Sequence, residues 1–245
     1  VMTSEALESA CAAAWRAAVE ARLGGWLLRW ADGFTGRANS ALAVGDPGMP
    51  VPEALRAVCE FSHSHRIPPV VQAVHGSENE AAIAAAGWVE HSTHPAGHEV
   101  SVLLGAAGSA AGGAEILTEP VGEWWELCAG TAEPSEAQRY VLTTGDVGYG
   151  VVRAGAEVAG AVRAAVVGDL LHVSRLAVRP SFRRRGFAVA LMSAAGRWAA
   201  GRDCVLQVSV RNAAALALYG RLGFTEHHRY RYWVPPQTTC EDPKS

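Results

Sequence analysis

The 245-residue chain has no excess of basic charge: 21 Lys and Arg stand against 24 Asp and Glu, a formal net charge of −3. Without a global positive field nothing draws a polyanionic backbone, so nucleic acid is not expected as a partner. Cysteine is sparse. The five (Cys11, Cys59, Cys128, Cys204, Cys240) are odd in number, scattered and without a C-x-x-C pair, which argues against a disulfide scaffold or a zinc site and predicts reduced thiols. No apolar run is long enough to span a bilayer, so no membrane partner is expected. The N-terminal stretch has acidic residues and an interrupted apolar pattern in place of a basic region and an apolar run, so no signal peptide is expected and the predicted location is cytoplasmic. Histidines at 91, 94 and 98 have helical spacing, but Pro95 and Gly97 interrupt any helix there, and no metal site is predicted. What is present is 49% apolar residues, enough for one large or two modest cores.

Residues 105–113 are almost entirely Gly, Ala and Ser. Such composition cannot build a core and reads as a flexible linker, dividing a domain over 1–104 from one over 114–235, with a loose tail at 236–245. In the first portion Leu7, Cys11, Trp15, Val19 and Leu23 recur every four residues, predicting one helix closed by Gly24-Gly25. Strands follow at 26–30 and 38–44, a helix after Pro50, a strand at 70–74, a short helix at 78–86, and a last antiparallel pair at 88–91 and 99–104. The second portion reads as a strand at 115–118, two helices, a hairpin around 154–156, a central strand at 170–178, a helix, a strand at 205–210, a helix at 213–222 and a closing strand at 225–234.

The two portions echo one another. Leu42-Ala43-Val44 returns as Leu176-Ala177-Val178, and Val70-Val71-Gln72 through Gly87-Trp88-Val89-Glu90-His91 parallels Val205-Leu206-Gln207 through Gly223-Phe224-Thr225-Glu226-His227. The first copy has Asp46 where the second has Arg183-Arg184-Arg185, and its gapless count places Ile83 opposite Tyr219. A diphosphate would be repelled by the first loop and attracted by the second. In the second copy a strand, a basic turn, Gly186, Ala188 and a small-residue helix follow one another, which suits an anion at a helix N-terminus; a solvated basic turn is the plainer alternative.

Arg183-x-x-Gly186-x-Ala188 after Leu176-Ala177-Val178, followed by Asn212, Tyr219 and Gly223-Phe224, resembles the acyl-CoA loop and its sequel in the Gcn5-related N-acetyltransferase (GNAT) superfamily. The resemblance implies an α+β fold of two tandem GNAT-like domains, each a mixed, mostly antiparallel sheet flanked by helices, the first degenerate and the second catalytic. It implies acetyl-CoA as co-substrate and acetyl transfer to a primary amine of a small molecule or peptide by direct attack in a ternary complex. The alternative is an acyl-CoA-binding sensor or scaffold without activity.

By the same resemblance the backbone of Leu176, Ala177 and Val178 would pair with pantetheine, and Arg183, Arg184, Arg185, Gly186, Phe187 and Ala188 would cradle the diphosphate. Asn212 would contact the cofactor arm or cap the helix. Tyr219 would touch the cofactor and protonate the departing thiolate. Alternation places Leu170, His172, Ser174 and Leu176 on one strand face. His172 is the candidate base, with Ser174 as a water or acceptor contact and Glu123 and Glu126 as rival bases. Tyr230, Tyr232 and Trp233, and the turn with Thr35, Arg37 and Asn39, are weaker candidates for the acceptor side. The acceptor's identity and the oligomeric state are not legible.

Overall fold

The computed structural model describes residues 2–236; residues 237–245 of the expected tail, with Cys240, lie outside them. The N-terminal half runs α1 (Ser4–Ala14), β1 (Val19–Leu23), β2 (Trp26–Trp30), β3 (Ala41–Ala43), α2 (Val51–Ser64), β4 (Val71–Val74), α3 (Glu78–Ala85), β5 (Val89–Glu90) and β6 (Glu99–Ala106). The C-terminal half continues with β7 (Ala114–Leu117), α4 (Gly122–Cys128), α5 (Glu136–Thr143), β8 (Asp146–Ala154), β9 (Glu157–Val167), β10 (Leu170–Val178), α6 (Phe187–Trp198), β11 (Asp203–Ser209), α7 (Ala213–Arg221) and β12 (Thr225–Val234).

These elements pack as two units that do not follow the division at 104 and 114. The first unit takes residues up to Val102, Val208–Ala213 and the chain from His227; the second takes Leu103–Gln207 and Ala214–Glu226. In the first, the strand order is β1-β2-β3-β4-β12-β6, with β5 added beside β12. β3 and β4 run parallel, whereas the β1–β2, β2–β3 and β4–β12 pairings are antiparallel. In the second, the order is β11-β10-β9-β8-β7, parallel only between β10 and β11.

Two expectations are corrected here. The single helix over Leu7 to Leu23 is a helix and then a strand, because Gly24, at φ +55°, makes with Gly25 the tight turn of the β1–β2 hairpin. An interval of four residues cannot distinguish a helical face from one side of a strand, since four is also an even number. The expected pairing of 88–91 with 99–104 does not form: β5 pairs instead with β12, Glu90 opposite Trp233. The last strand of the chain thus completes the sheet of the first unit, and Trp233 joins a core of Trp26, Leu28, Leu55, Val58, Ile83 and Trp88.

The stretch expected to be a flexible linker is in part packed. β6 continues to Ala106, Ala107 is buried, and the Gly108 carbonyl lies against Gly196 of α6. Arg197 of the same helix donates to the Ala110 carbonyl. Small residues serve close approach here, since a Cβ on Gly196 would clash with that carbonyl. Gly196→Ala should therefore lower stability by about 1–3 kcal/mol, a drop of roughly 2–10 °C in Tm by calorimetry; an unchanged Tm would disprove the contact.

Candidate functional site

The second unit builds its site around an interruption of the sheet. β10 pairs with β11 only from Leu170 to His172, opposite Asp203 to Val205, although the strands continue to Val178 and Ser209. On its other side β10 slips register against β9 between Ser174 and Ala177, a bulge with Arg175 at φ +57°. Arg175 is held there from below: its Nε donates to the Cys128 carbonyl at the end of α4 (2.6 Å), and the Cys128 thiol donates to the Arg175 carbonyl (3.5 Å). Burial pushes that thiol up to about 12, so it stays protonated and keeps its donor. Beyond His172 the edge of β10 facing β11 has no strand pairing, which leaves backbone groups for an extended ligand arm.

The bulge also breaks the expected alternation. Register partners across a sheet share a face. Ser174 is opposite Arg163, His172 opposite Ala165 and Ala177 opposite Ala161, which places these three on one face, while Val178, opposite Gly160, is on the other. Leu176 falls within the slip and does not follow Leu170, His172 and Ser174.

After β10 a turn at 180–182 leads to the arginines. Arg183 donates through Nε to the Val178 carbonyl (3.3 Å), Arg184 adopts φ +63°, and Gly186 adopts φ +78° as the residue before α6. Among the described residues no side chain caps α6, and the amides of its first turn point out of the helix end without intrahelical acceptors. A helix dipole, left-handed residues at Arg184 and Gly186, and arginines together favour an anion with several oxygens. A cavity of about 390 Å³ opens at this point. Val178, Phe182, Arg183, Arg184, Gly186, Phe187, Ala188 and Val189 form one wall, and Ala214, Leu218 and Arg221 of α7 the other.

Among the expected cofactor residues, Val178, Arg183, Arg184, Gly186, Phe187 and Ala188 line this cavity, and Leu176, Ala177, Arg185, Asn212 and Tyr219 do not. Arg185 turns onto the rings of Phe182 (5.4 Å) and Phe187 (5.3 Å). Asn212 is exposed, directly precedes α7, and packs with the first unit; its backbone N–H donates to the Ser209 carbonyl (2.9 Å). Tyr219 is buried on a neighbouring face of α7, edge-on to Phe224 at 5.7 Å. Burial pushes its phenol up to about 12, and the nearby Cys204 thiol adds to the rise. Sequence reading missed Phe182, Val189, Ala214, Leu218 and Arg221. The spacing of Ala214, Leu218 and Arg221, at i, i+4 and i+7, is the signal that would have found the second wall.

The candidate bases fare unequally. His172 is fully buried, so a proton taken up there has no direct exit to water. Glu126 is engaged with Arg179 (2.8 Å), whereas Glu123 stands half-buried in the first turn of α4. Ser174 is 7% exposed, and its hydroxyl is buried with no hydrogen-bond partner among the described residues.

The first unit repeats the scaffold without the opening. β3 and β4 stay paired along the whole of β3, Ala41 to Ala43 against Val71 to Ala73. Arg29, buried and unable to shed its charge, crosses these strands: it donates to the Ser40 carbonyl (2.9 Å), the Ser40 hydroxyl (2.9 Å) and Gln72 Oε1 (2.8 Å). By the internal echo Ser40 and Gln72 match Ser174 and Gln207. In the loop after β3, Asp46 accepts from the Gly48 N–H (2.7 Å), and Asn79 of α3 donates to the Gly45 carbonyl (3.0 Å). Ile83, opposite Tyr219 in the echo, is fully buried in the core.

Among the described residues no helix is long and apolar enough to cross a membrane, and no group of three or more His, Cys, Asp or Glu is placed to hold a metal.

Comparison with known proteins agrees with this geometry. Residues 3–233 match the family model described as "Probable histone acetyltransferase Rv0428c C-terminal". No curated protein sequence matches. Among solved structures, a GCN5-related N-acetyltransferase from Kribbella flavida is similar at TM-score 0.71 and 14% identity, over 96% of each chain. A tandem GNAT protein from the clavulanic acid biosynthesis pathway is similar at TM-score 0.58 and 14% identity, over 95% of this chain and 89% of that one. A GCN5-related N-acetyltransferase from Sphaerobacter thermophilus follows at TM-score 0.53 and 18% identity, over 79% and 71%. At such identities the structures speak for the fold alone, whereas the family model spans nearly the whole chain. The chain therefore belongs to the family described as probable histone acetyltransferase Rv0428c C-terminal, and its fold is that of the GCN5-related N-acetyltransferases.

Proposed function

We propose that the protein transfers the acetyl group of acetyl-CoA to a primary amine of a small molecule or peptide, and that the second unit performs the chemistry. The observation that carries this is the union of two features at Val178: the parted strands β10 and β11, and the arginine-lined cavity at the uncapped start of α6. The loop amides with Arg183 and Arg184 hold the diphosphate, and the unpaired edge of β10 receives the pantetheine arm as an added strand. The unprotonated amine attacks the thioester carbonyl, a C–N bond forms as the C–S bond breaks, the nitrogen gives up its surplus proton to solvent, and the sulfur leaves as thiolate.

Tyr219 supplies the proton to that thiolate. A thiol is the stronger acid by the ordinary values, so the phenol acts by donating a hydrogen bond to sulfur and passing the proton as charge builds there. Burial keeps Tyr219 protonated throughout the working range. Tyr219→Phe should lower kcat about 10²-fold or more with acetyl-CoA affinity within a factor of two; wild-type turnover would remove this role. In the folded protein the phenol is raised from 10 to about 12. A raised tyrosine stabilises the fold below its unfolded value and loses that contribution as pH climbs from 10 to about 12. Turnover should accordingly show no alkaline loss attributable to Tyr219 below pH 10, which a kcat profile of the wild type against Tyr219→Phe reads directly.

The whole proposal is tested by isothermal titration with acetyl-CoA and by thiol release across a panel of primary amines. Binding together with amine-dependent release supports the enzyme. Binding with release at background for every amine supports the sensor, and absence of binding defeats both.

A further inference from the structure

The cavity has a third arginine that the loop motif does not contain. Arg183 and Arg184 line it from the β10–α6 side; Arg221 lines it from α7, two turns along from Ala214 and one from Leu218. Arg185, the remaining arginine of the triplet, is turned aside onto Phe182 and Phe187 and does not line the space. Phe187 and Val189 on the loop side and Leu218 on α7 line it too, and they offer an apolar surface and no hydrogen-bonding side chain.

A cavity that draws cations from two separate elements and has apolar lining besides suits a ligand with two anionic groups joined by a flat or apolar body. One diphosphate on the α6 amides uses the loop side alone. The loop's two lining arginines are matched by the charge of that diphosphate, which leaves the exposed Arg221 of the same cavity for a second anion. Coenzyme A carries such a second group on its ribose, a phosphate monoester of about −1.5 to −2 near neutral pH. We propose that Arg221 recognises the 3′-phosphate of coenzyme A, and that it sets the preference of the site for CoA over 3′-dephospho-CoA. This rests on the acetyl-CoA reading above and adds a residue and a ligand group to it. A basic residue in the last turn of a helix also complements the helix dipole, so the test must separate ligand recognition from helix support.

The experiment is isothermal titration of the full chain and its Arg221→Gln variant with CoA and with 3′-dephospho-CoA. The wild type should bind CoA roughly ten- to hundredfold more tightly than the dephospho form, the value of one charge-assisted contact. Arg221→Gln should lose that difference and bind both with the wild-type affinity for dephospho-CoA. Equal weakening toward both ligands, or a retained preference for CoA, overturns the assignment while leaving the cofactor site standing. A wild type that binds neither overturns the acetyl-CoA reading and this one together. Melting curves of the two proteins within about 2 °C of each other keep helix support out of the comparison.

Discussion

The paired substitution Arg183→Glu and Arg184→Glu should abolish measurable acetyl-CoA binding, weakening it by at least about 10³-fold. By the proposed function each of these two arginines of the cavity lining would supply a charge-assisted hydrogen bond to phosphate, worth about 1.5–3 kcal/mol, and the glutamates would add repulsion against the same group. Two such losses amount to about 3–6 kcal/mol, or two to four decades in affinity. Both side chains are exposed, so folding should be untouched and the Tm unchanged. The effect should exceed that of Arg185→Glu, because Arg185 packs on two phenylalanine rings outside the cavity lining. Titration calorimetry on the wild type and the two variants decides the point. Affinity retained in the double variant would place the diphosphate elsewhere and remove the central premise of the proposed function.

Arg29→Ala should be among the most destabilising single changes in the first unit. Arg29 is 2% exposed, and its bonds to Ser40 and Gln72 continue through Gln72 Nε2 to Glu8 (2.6 Å) and from Glu8 to His228 (3.0 Å). Removing the cation leaves Glu8, itself 1% exposed, as a buried carboxylate that has lost its compensating charge. Breaking one side of a buried ionic network costs about 3–5 kcal/mol, and a Tm drop of roughly 6–20 °C is expected for a chain of this size. The change lies far from the cavity in sequence and touches none of its lining residues. Acetyl-CoA affinity measured well below the new Tm should therefore be close to wild type. A Tm within a degree or two of wild type would mean that the network does not bolt β3 to β4 as described.

These two expectations separate the halves by what each does with the same scaffold. In the first, a buried arginine ties Ser40 and Gln72 across strands paired to the end of β3. In the second, the matching strands part after His172 and Val205, and the hydroxyl of Ser174 has no partner among the described residues. A closed ladder has no spare backbone edge for a ligand. A parted one does, and the bulge at Arg175 together with its ties to Cys128 keeps it parted.

Much of this was legible in residue order. The loop from Arg183 to Ala188 lines the cavity except at Arg185, because a short motif acts through its own backbone and through side chains within a few residues of one another. Most element positions followed from turn residues and apolar spacing, since both act locally. Errors arose wherever a distant partner decided the outcome. Val19 to Leu23 became a strand because β2 was there to pair with it, and the spacing of four residues served either structure. The small residues after β6 pack because Gly196 of α6 allows close approach, a condition set almost ninety positions away in sequence.

By itself, then, the sequence determined that the chain holds two related α+β halves, that only the second has a basic loop at a helix start, and that Tyr219 has no counterpart in the first. Tertiary structure alone decided where the halves begin and end, because strand pairing is a long-range choice and β12 found its partners in β4 and β5. It decided that His172 is sealed within the sheet, since burial depends on every layer packed above a strand and not on the strand's own alternation. It also decided that Arg221, unremarkable at the end of an amphipathic helix, lines the same cavity as Arg183 and Arg184. Spacing puts Arg221 on one face of α7 with Ala214 and Leu218, but only the tertiary fold makes that face part of the cavity, because contact between distant segments is a long-range outcome.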